Sequence, residues 1–163
     1  MIFVTVSVGP FERMIKVMDE LAPKLGEEIV MQIGMTEYEP KNCKYFRLCS
    51  RNEMKRHFKK ADLIVTTGGC GSLAFALRAK KRCIAIPRFK KFNENSDDHQ
   101  LEVIRELAKQ KRLIAVYDVN DLEEAIRKAR RFKPVFKRDS SLVEHVKSII
   151  GASKSYNKHS NAS

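Results

Sequence analysis

The chain has 163 residues, 43% of them hydrophobic, enough for one α/β domain with a real core and too few for two of roughly 150 residues each. It has no run of about 18 apolar residues, and its opening M-I-F-V-T-V-S-V lacks a basic leader, so neither a membrane span nor a signal peptide is expected and a cytoplasmic protein is. A net charge of +12 admits nucleic acid, anionic lipid headgroups and phosphorylated ligands as partners and chooses none of them.

Apolar runs alternate with amphipathic ones along most of the chain. Residues 1–7 read as a strand, 11–22 as a helix, 28–33 and 45–48 as strands, and 51–60 as a helix. Then come a strand at 62–66, a helix at 72–80, a strand at 82–86, a helix at 98–110, a strand at 113–117, and helices at 121–131 and 141–150. Ser50 with Glu53 and Ser141 with Glu144 form capping boxes, in which hydroxyl and carboxylate satisfy the backbone donors at a helix start. This rhythm predicts an α/β, Rossmann-like, mostly parallel sheet with helices on both faces. Residues 1–150 are expected to form a single domain, and the polar 151–163 a flexible tail. Cys43, Cys49, Cys70 and Cys83 show no C-x-x-C pairing and no histidine at zinc-ligand spacing, so reduced thiols and no metal site are expected.

The strand at 62–66 runs through T-T-G-G-C-G-S into a helix-forming segment. Gly68, Gly69 and Gly71 let backbone N–H groups approach an anion without a Cβ in the way, with the positive end of a helix dipole behind them. The same glycines also suit close packing of helix on sheet, so the turn alone does not decide between the two. Two further loops follow parallel strands and should emerge on the same edge. Ser7 to Phe11 carries Gly9, and the long polar segment after Pro87 carries Arg88, Lys90, Asp97, Asp98, His99 and Gln100.

A-D-L-I-V-T-T-G-G-C-G-S-L-A-F-A-L, followed by I-P-R-F-K-K-F-N-E-N-S-D-D-H-Q-L-E-V-I-R-E-L, resembles the C-terminal half of family 28 glycosyltransferases. The likeness extends over roughly residues 1–130 and is strongest to the soluble, PssE-type subunit of two-component transferases, a group related to the cytosolic subunit of the dolichol-linked N-acetylglucosaminyltransferase. It implies a GT-B half-domain that binds a UDP-sugar. The family's G-x-G-S turn falls on Gly69, Cys70, Gly71 and Ser72, where it implies diphosphate binding; its D-x-H-Q element falls on Asp97, Asp98, His99 and Gln100, near the sugar. Gly9, Gly68, Pro87 and Arg88 complete the nucleotide-sugar-binding set, with Arg88 a candidate to steady the leaving diphosphate. Two positions depart from the pattern. Phe75 stands where many relatives carry a ribose-binding glutamate, and the first loop reads S-V-G where glycine then threonine is common.

His99 beside a carboxylate can be read as a general base, a ligand contact or a helix-start residue bonded to backbone, and the resemblance implies that the base comes from the other half of the cleft. Asp97 and Asp98 suit a sugar site and equally a helix first turn. His57, His145 and His159 read as solvated. The resulting expectation is the donor-binding subunit of a two-component inverting glycosyltransferase, moving an N-acetylhexosamine or hexose from a UDP-sugar to a lipid-linked acceptor, with a membrane-anchored subunit supplying acceptor binding. No cofactor enters that expectation. A non-catalytic assembly subunit of the same fold and a basic nucleic-acid-binding domain are the competing readings.

Overall fold

A computed structural model describes residues 1–136; the expected helix at 141–150 with its capping box, His145, His159 and the tail at 151–163 lie outside them. Six parallel strands form one sheet: β1 (Ile2–Thr5), β2 (Ile29–Gln32), β3 (Lys44–Phe46), β4 (Leu63–Thr67), β5 (Arg82–Ile86) and β6 (Ile114–Ala115). Their order is β3-β2-β1-β4-β5-β6, and β1 pairs with both β2 and β4, Val4 standing opposite Met31 on one side and Val65 on the other. The direction of winding therefore reverses between β1 and β4, where open α/β sheets leave a crevice at the carboxyl ends of their strands.

The main helices are α1 (Glu12–Leu25), α2 (Arg51–Lys60), α3 (Cys70–Arg78), α4 (His99–Lys109) and α5 (Leu122–Ala129). Period-two alternation divides the strands between two cores. Ile2, Val4, Met31, Val65 and Ile84 face α1 and α5, while Phe3, Val30, Ile64, Cys83 and Ala85 face α2, α3 and α4. Burial of each large side chain contributes about 1.5–3 kcal/mol, and a sheet buried on both faces explains why these strands read as nearly unbroken apolar runs.

Helix α1 runs three residues beyond its expected end despite Pro23. Proline cannot donate to the carbonyl four residues back, and that carbonyl, of Asp19, is met instead by Asn42 Nδ2 at 3.2 Å. Gly26 then ends the helix in the left-handed region at φ 64°. The capping box of Ser50 with Glu53 forms as the sequence predicts, Glu53 N–H reaching Ser50 Oγ at 3.3 Å and Ser50 N–H reaching Glu53 Oε2 at 2.9 Å. His57 departs from its solvated reading: its ring stacks on Phe3 at 5.1 Å and on Phe46 at 4.9 Å between centroids.

Candidate functional site

β4 delivers the glycine-rich turn to the carboxyl edge, and α3 starts there with Gly69 as its N-cap. No side chain caps α3 and its first turn holds no acidic residue. The one amide met locally is that of Gly69, which donates to Thr67 Oγ1 at 3.3 Å. An α-helix leaves its first N–H groups unpaired, so the amides at this end present a partial positive charge that no side-chain cap or first-turn acid offsets.

The glycines serve different ends. A Cβ on Gly68 would sit 2.7 Å from Gln100 Cβ and 2.9 Å from Ile104 Cδ1, so its lack of a side chain lets α4 lie against the turn. A Cβ on Gly71 would meet nothing within 4 Å, so that position faces open space. Of the two alternatives the sequence left open, close packing is present at Gly68, and Gly71 has no packing neighbour that requires a glycine.

Opposite the turn, the chain leaving β5 passes through a short 3-10 turn and enters α4. Asp97 Oδ1 accepts from His99 N–H at 3.1 Å and from Asn95 Nδ2 at 3.2 Å, which orients the carboxylate across the start of the helix. His99 Nε2 lies 3.9 Å from Asp97 Oδ2 and Nδ1 lies 4.0 Å from Glu102 Oε2, so the imidazole is held between two carboxylates. Gln100 Oε1 accepts from Arg88 N–H at 3.2 Å and ties α4 to the end of β5.

Between these elements is a cleft of about 260 Å³ walled by Gly68, Gly69, Cys70, Asp97, His99, Gln100 and Val103. Gly71 and Ser72 occupy the next positions of the same helical turn. Two segments separated by some thirty residues, singled out independently in the sequence, thus form opposite walls of one cleft. Val103 was not singled out; it is one turn beyond His99 on α4 and reads in the sequence as an ordinary core position.

The remaining candidates lie elsewhere. Asp98 is exposed, and its Oδ1 accepts from Lys90 N–H at 2.9 Å. Pro87 is buried, its carbonyl accepting from Arg13 Nη2 at 2.8 Å. Arg88, 9% exposed, points under the first loop, where Nη2 donates to the carbonyls of Val6 and of Gly9, the latter at 2.8 Å. Burial pushes its pKa down, partly offset by Glu94, and its Nε is buried without a partner. Through Nη2 the guanidinium clamps the first loop by its backbone carbonyls, a role the sequence did not suggest for Arg88. Gly9 fits the same account, since a Cβ there would lie 2.8 Å from Arg88 Nη1.

The residues that shape the first loop escaped the sequence reading. Gln32, buried at the end of β2, accepts from Ser7 N–H at 3.0 Å and donates through Nε2 to Ser7 O and, at 3.0 Å, to Arg47 O. Those bonds hold Ser7 at φ 63°, a left-handed conformation that a glycine adopts without strain. All four cysteines are free, and burial pushes the Cys83 thiol up to about 12. Among the described residues no group of three or more His, Cys, Asp or Glu side chains could hold a metal ion, and no helix is long and apolar enough to cross a membrane.

An open parallel sheet with a glycine-rich, uncapped helix start beside its switch point defines a Rossmann-like domain of the type that forms the C-terminal half of GT-B glycosyltransferases. The chain belongs to the family described as the glycosyltransferase family 28 C-terminal domain, whose model matches residues 1–152. Among solved structures it is similar to the solution structure of ALG13, with a TM-score of 0.61 and 17% identity over 90% of this chain and 96% of that one. It is also similar to the glycotransferase of kitacinnamycin, with a TM-score of 0.60 and 15% identity over 91% of this chain and 38% of that one. MurG of Acinetobacter baumannii matches with a TM-score of 0.51 and 20% identity over 91% of this chain and 49% of that one. The chain thus spans less than half of the latter two proteins. No curated protein sequence matches it.

Proposed function

We propose that this glycosyltransferase domain is the donor-binding half of a two-component inverting transferase, using a UDP-sugar and a lipid-linked acceptor at a membrane surface, with the acceptor site and the general base on a second, membrane-anchored polypeptide. The observation that carries the reading is the uncapped start of α3, which opens into a cleft whose far wall is Asp97, His99 and Gln100. Backbone amides and a helix dipole suit a diphosphate, and carboxylate and carboxamide groups suit sugar hydroxyls. During transfer the acceptor oxygen bonds to the anomeric carbon as the sugar–diphosphate bond breaks, and the amides of Cys70 to Ser72 receive the developing charge. With Arg88 bound to Val6 and Gly9, that stabilisation falls to the amides.

Two observations support a further domain across the cleft, which the reading places on the second polypeptide. The chain spans 38% and 49% of two glycosyltransferases it resembles, and nearly all of ALG13. In addition, Val8, Met35 and Leu48, exposed by 57%, 66% and 63%, sit on neighbouring loops of the carboxyl edge, where Met35 N–H donates to Val8 O at 2.9 Å and Gly34 N–H to Arg47 O at 3.1 Å. An apolar platform of this kind beside a half-built cleft suits a face that a second domain covers.

Calorimetric titration of the full chain with UDP-sugars tests the donor site: weak, UDP-dependent binding that Gly71→Leu abolishes is expected. Absence of any UDP-dependent signal favours the assembly-subunit reading, and steeply salt-dependent binding to RNA or DNA with no nucleotide-sugar preference favours the nucleic-acid reading.

A further inference from the structure

A second cavity, of about 400 Å³, lies in the groove between α2 and α3, away from the cleft. Its floor is apolar, made by Phe58 and Phe75, whose rings stack at 5.5 Å, and by Ala79. This is where Phe75 turns instead of toward a ribose. Five cations line the groove: Arg51, Lys55 and Lys59 recur every four residues along α2, while Arg78 and Lys81 come from the end of α3 and just beyond it. No carboxylate lines it and none of the five forms a salt bridge among the described residues. Helix α5 is also basic, but there Lys128 pairs with Glu124 at 2.7 Å and Arg130 with Glu27 at 2.8 Å.

We infer that the α2–α3 groove is a seat for an anionic phospholipid, and that this face of the domain rests on a membrane. Five cations with no salt bridge among the described residues, over an apolar floor, match a ligand with a phosphate attached to an apolar body. Lys60, Lys80 and Arg82 adjoin these residues in sequence, while Arg56 pairs with Glu53 at 3.7 Å, and such an excess of positive charge suits an extended anionic surface better than a single acidic peptide. The inference does not depend on donor binding, because vesicle binding is read without nucleotide sugar.

The test is sedimentation of the full chain with vesicles of phosphatidylcholine alone or with phosphatidylglycerol added. Binding to the anionic vesicles alone is expected. Lys59→Glu with Arg78→Glu should weaken it about tenfold or more, and the milder Lys59→Gln with Arg78→Gln should weaken it about threefold. Arg127→Glu with Arg131→Glu, an equal change in charge across the sheet on α5 and just beyond its end, should change it by less than about twofold. Soluble dihexanoyl phosphatidylglycerol should shift the amide resonances of Phe58 and Phe75. Equal losses from both glutamate pairs, equal or no binding to the two vesicle types, or tighter binding to soluble polyglutamate than to vesicles would overturn the proposal.

Discussion

Loops on the two sides of the switch point between β1 and β4 treat their backbone polar groups differently. After β1, β2 and β3, Gln32 takes up Ser7, Thr36 Oγ1 accepts from Phe11 N–H at 3.0 Å, and Glu12 lies in the first turn of α1 with its Oε1 accepting from Glu37 N–H at 2.6 Å. After β4, the first turn of α3 has neither a capping side chain nor an acid. Helices α1, α2, α4 and α5 each carry an acid in the first turn, and α2 adds a capping box; α3 has neither. A helix start with neither a cap nor an acid, set between converging segments, suits an anionic ligand, and the proposed donor site rests on that contrast.

Gly71→Leu is expected to break this contrast most. Side chains on a helix lean toward its N-terminus, so a leucine there overhangs the free amides. Donor affinity should fall about 100-fold or more, about 3 kcal/mol, while stability holds because a Cβ at this position meets nothing within 4 Å. Calorimetry alongside thermal melting separates the two effects, and undiminished binding would mean that the amides are not the anion site. Gly68→Ala should act in the opposite way. Its Cβ has to displace Gln100 and Ile104, which should cost about 2–3 kcal/mol of stability on urea unfolding.

On the closed side, Arg88→Met should cost about 2 kcal/mol, since it strips the carbonyls of Val6 and Gly9 of their donor. Donor affinity per folded molecule should stay within about twofold. A large loss of affinity without loss of stability would return Arg88 to the diphosphate.

The open side was the more legible half in the sequence. Three glycines in four positions and D-D-H-Q are local patterns, and parallel topology brings the loops that follow neighbouring strands to one edge, so their meeting follows once the strands are recognised. The closed side depends on which way a long side chain turns. Arg88 after a strand could reach either the cleft or the first loop, and only the space left by Gly9 decides it. Gln32 at the end of an apolar strand and His57 among lysines show no periodicity that reveals a buried hub or a ring stacked between phenylalanines. Phe75 is legible as a departure from a family pattern, yet its partner Phe58 is on another helix and no local spacing links the two.

The smallest effects concern acid, and they arise on the closed side and in the core. Burial alone would raise the pKa of Asp19, but hydrogen bonds from Lys41 N–H, Asn42 N–H and the Tyr38 hydroxyl outweigh it and hold the carboxyl below its usual range. The unfolded chain then takes up this proton first, so the contribution of Asp19 is complete above about pH 4 and is lost as pH falls further. His57 is shifted down by burial and by Lys60 and Arg56. A depressed imidazole has the same sign at higher pH, because the unfolded chain protonates near about 6.5 while the native ring stays neutral. Stability should therefore fall in two steps on acidification. Asp19→Asn should cost about 1–2 kcal/mol at neutral pH, with the gap to wild type closing toward about pH 3. His57→Phe keeps a ring between Phe3 and Phe46 and should remove the upper step alone. Urea unfolding between about pH 3 and 8 checks both, and an upper step that survives in His57→Phe would assign it to another group.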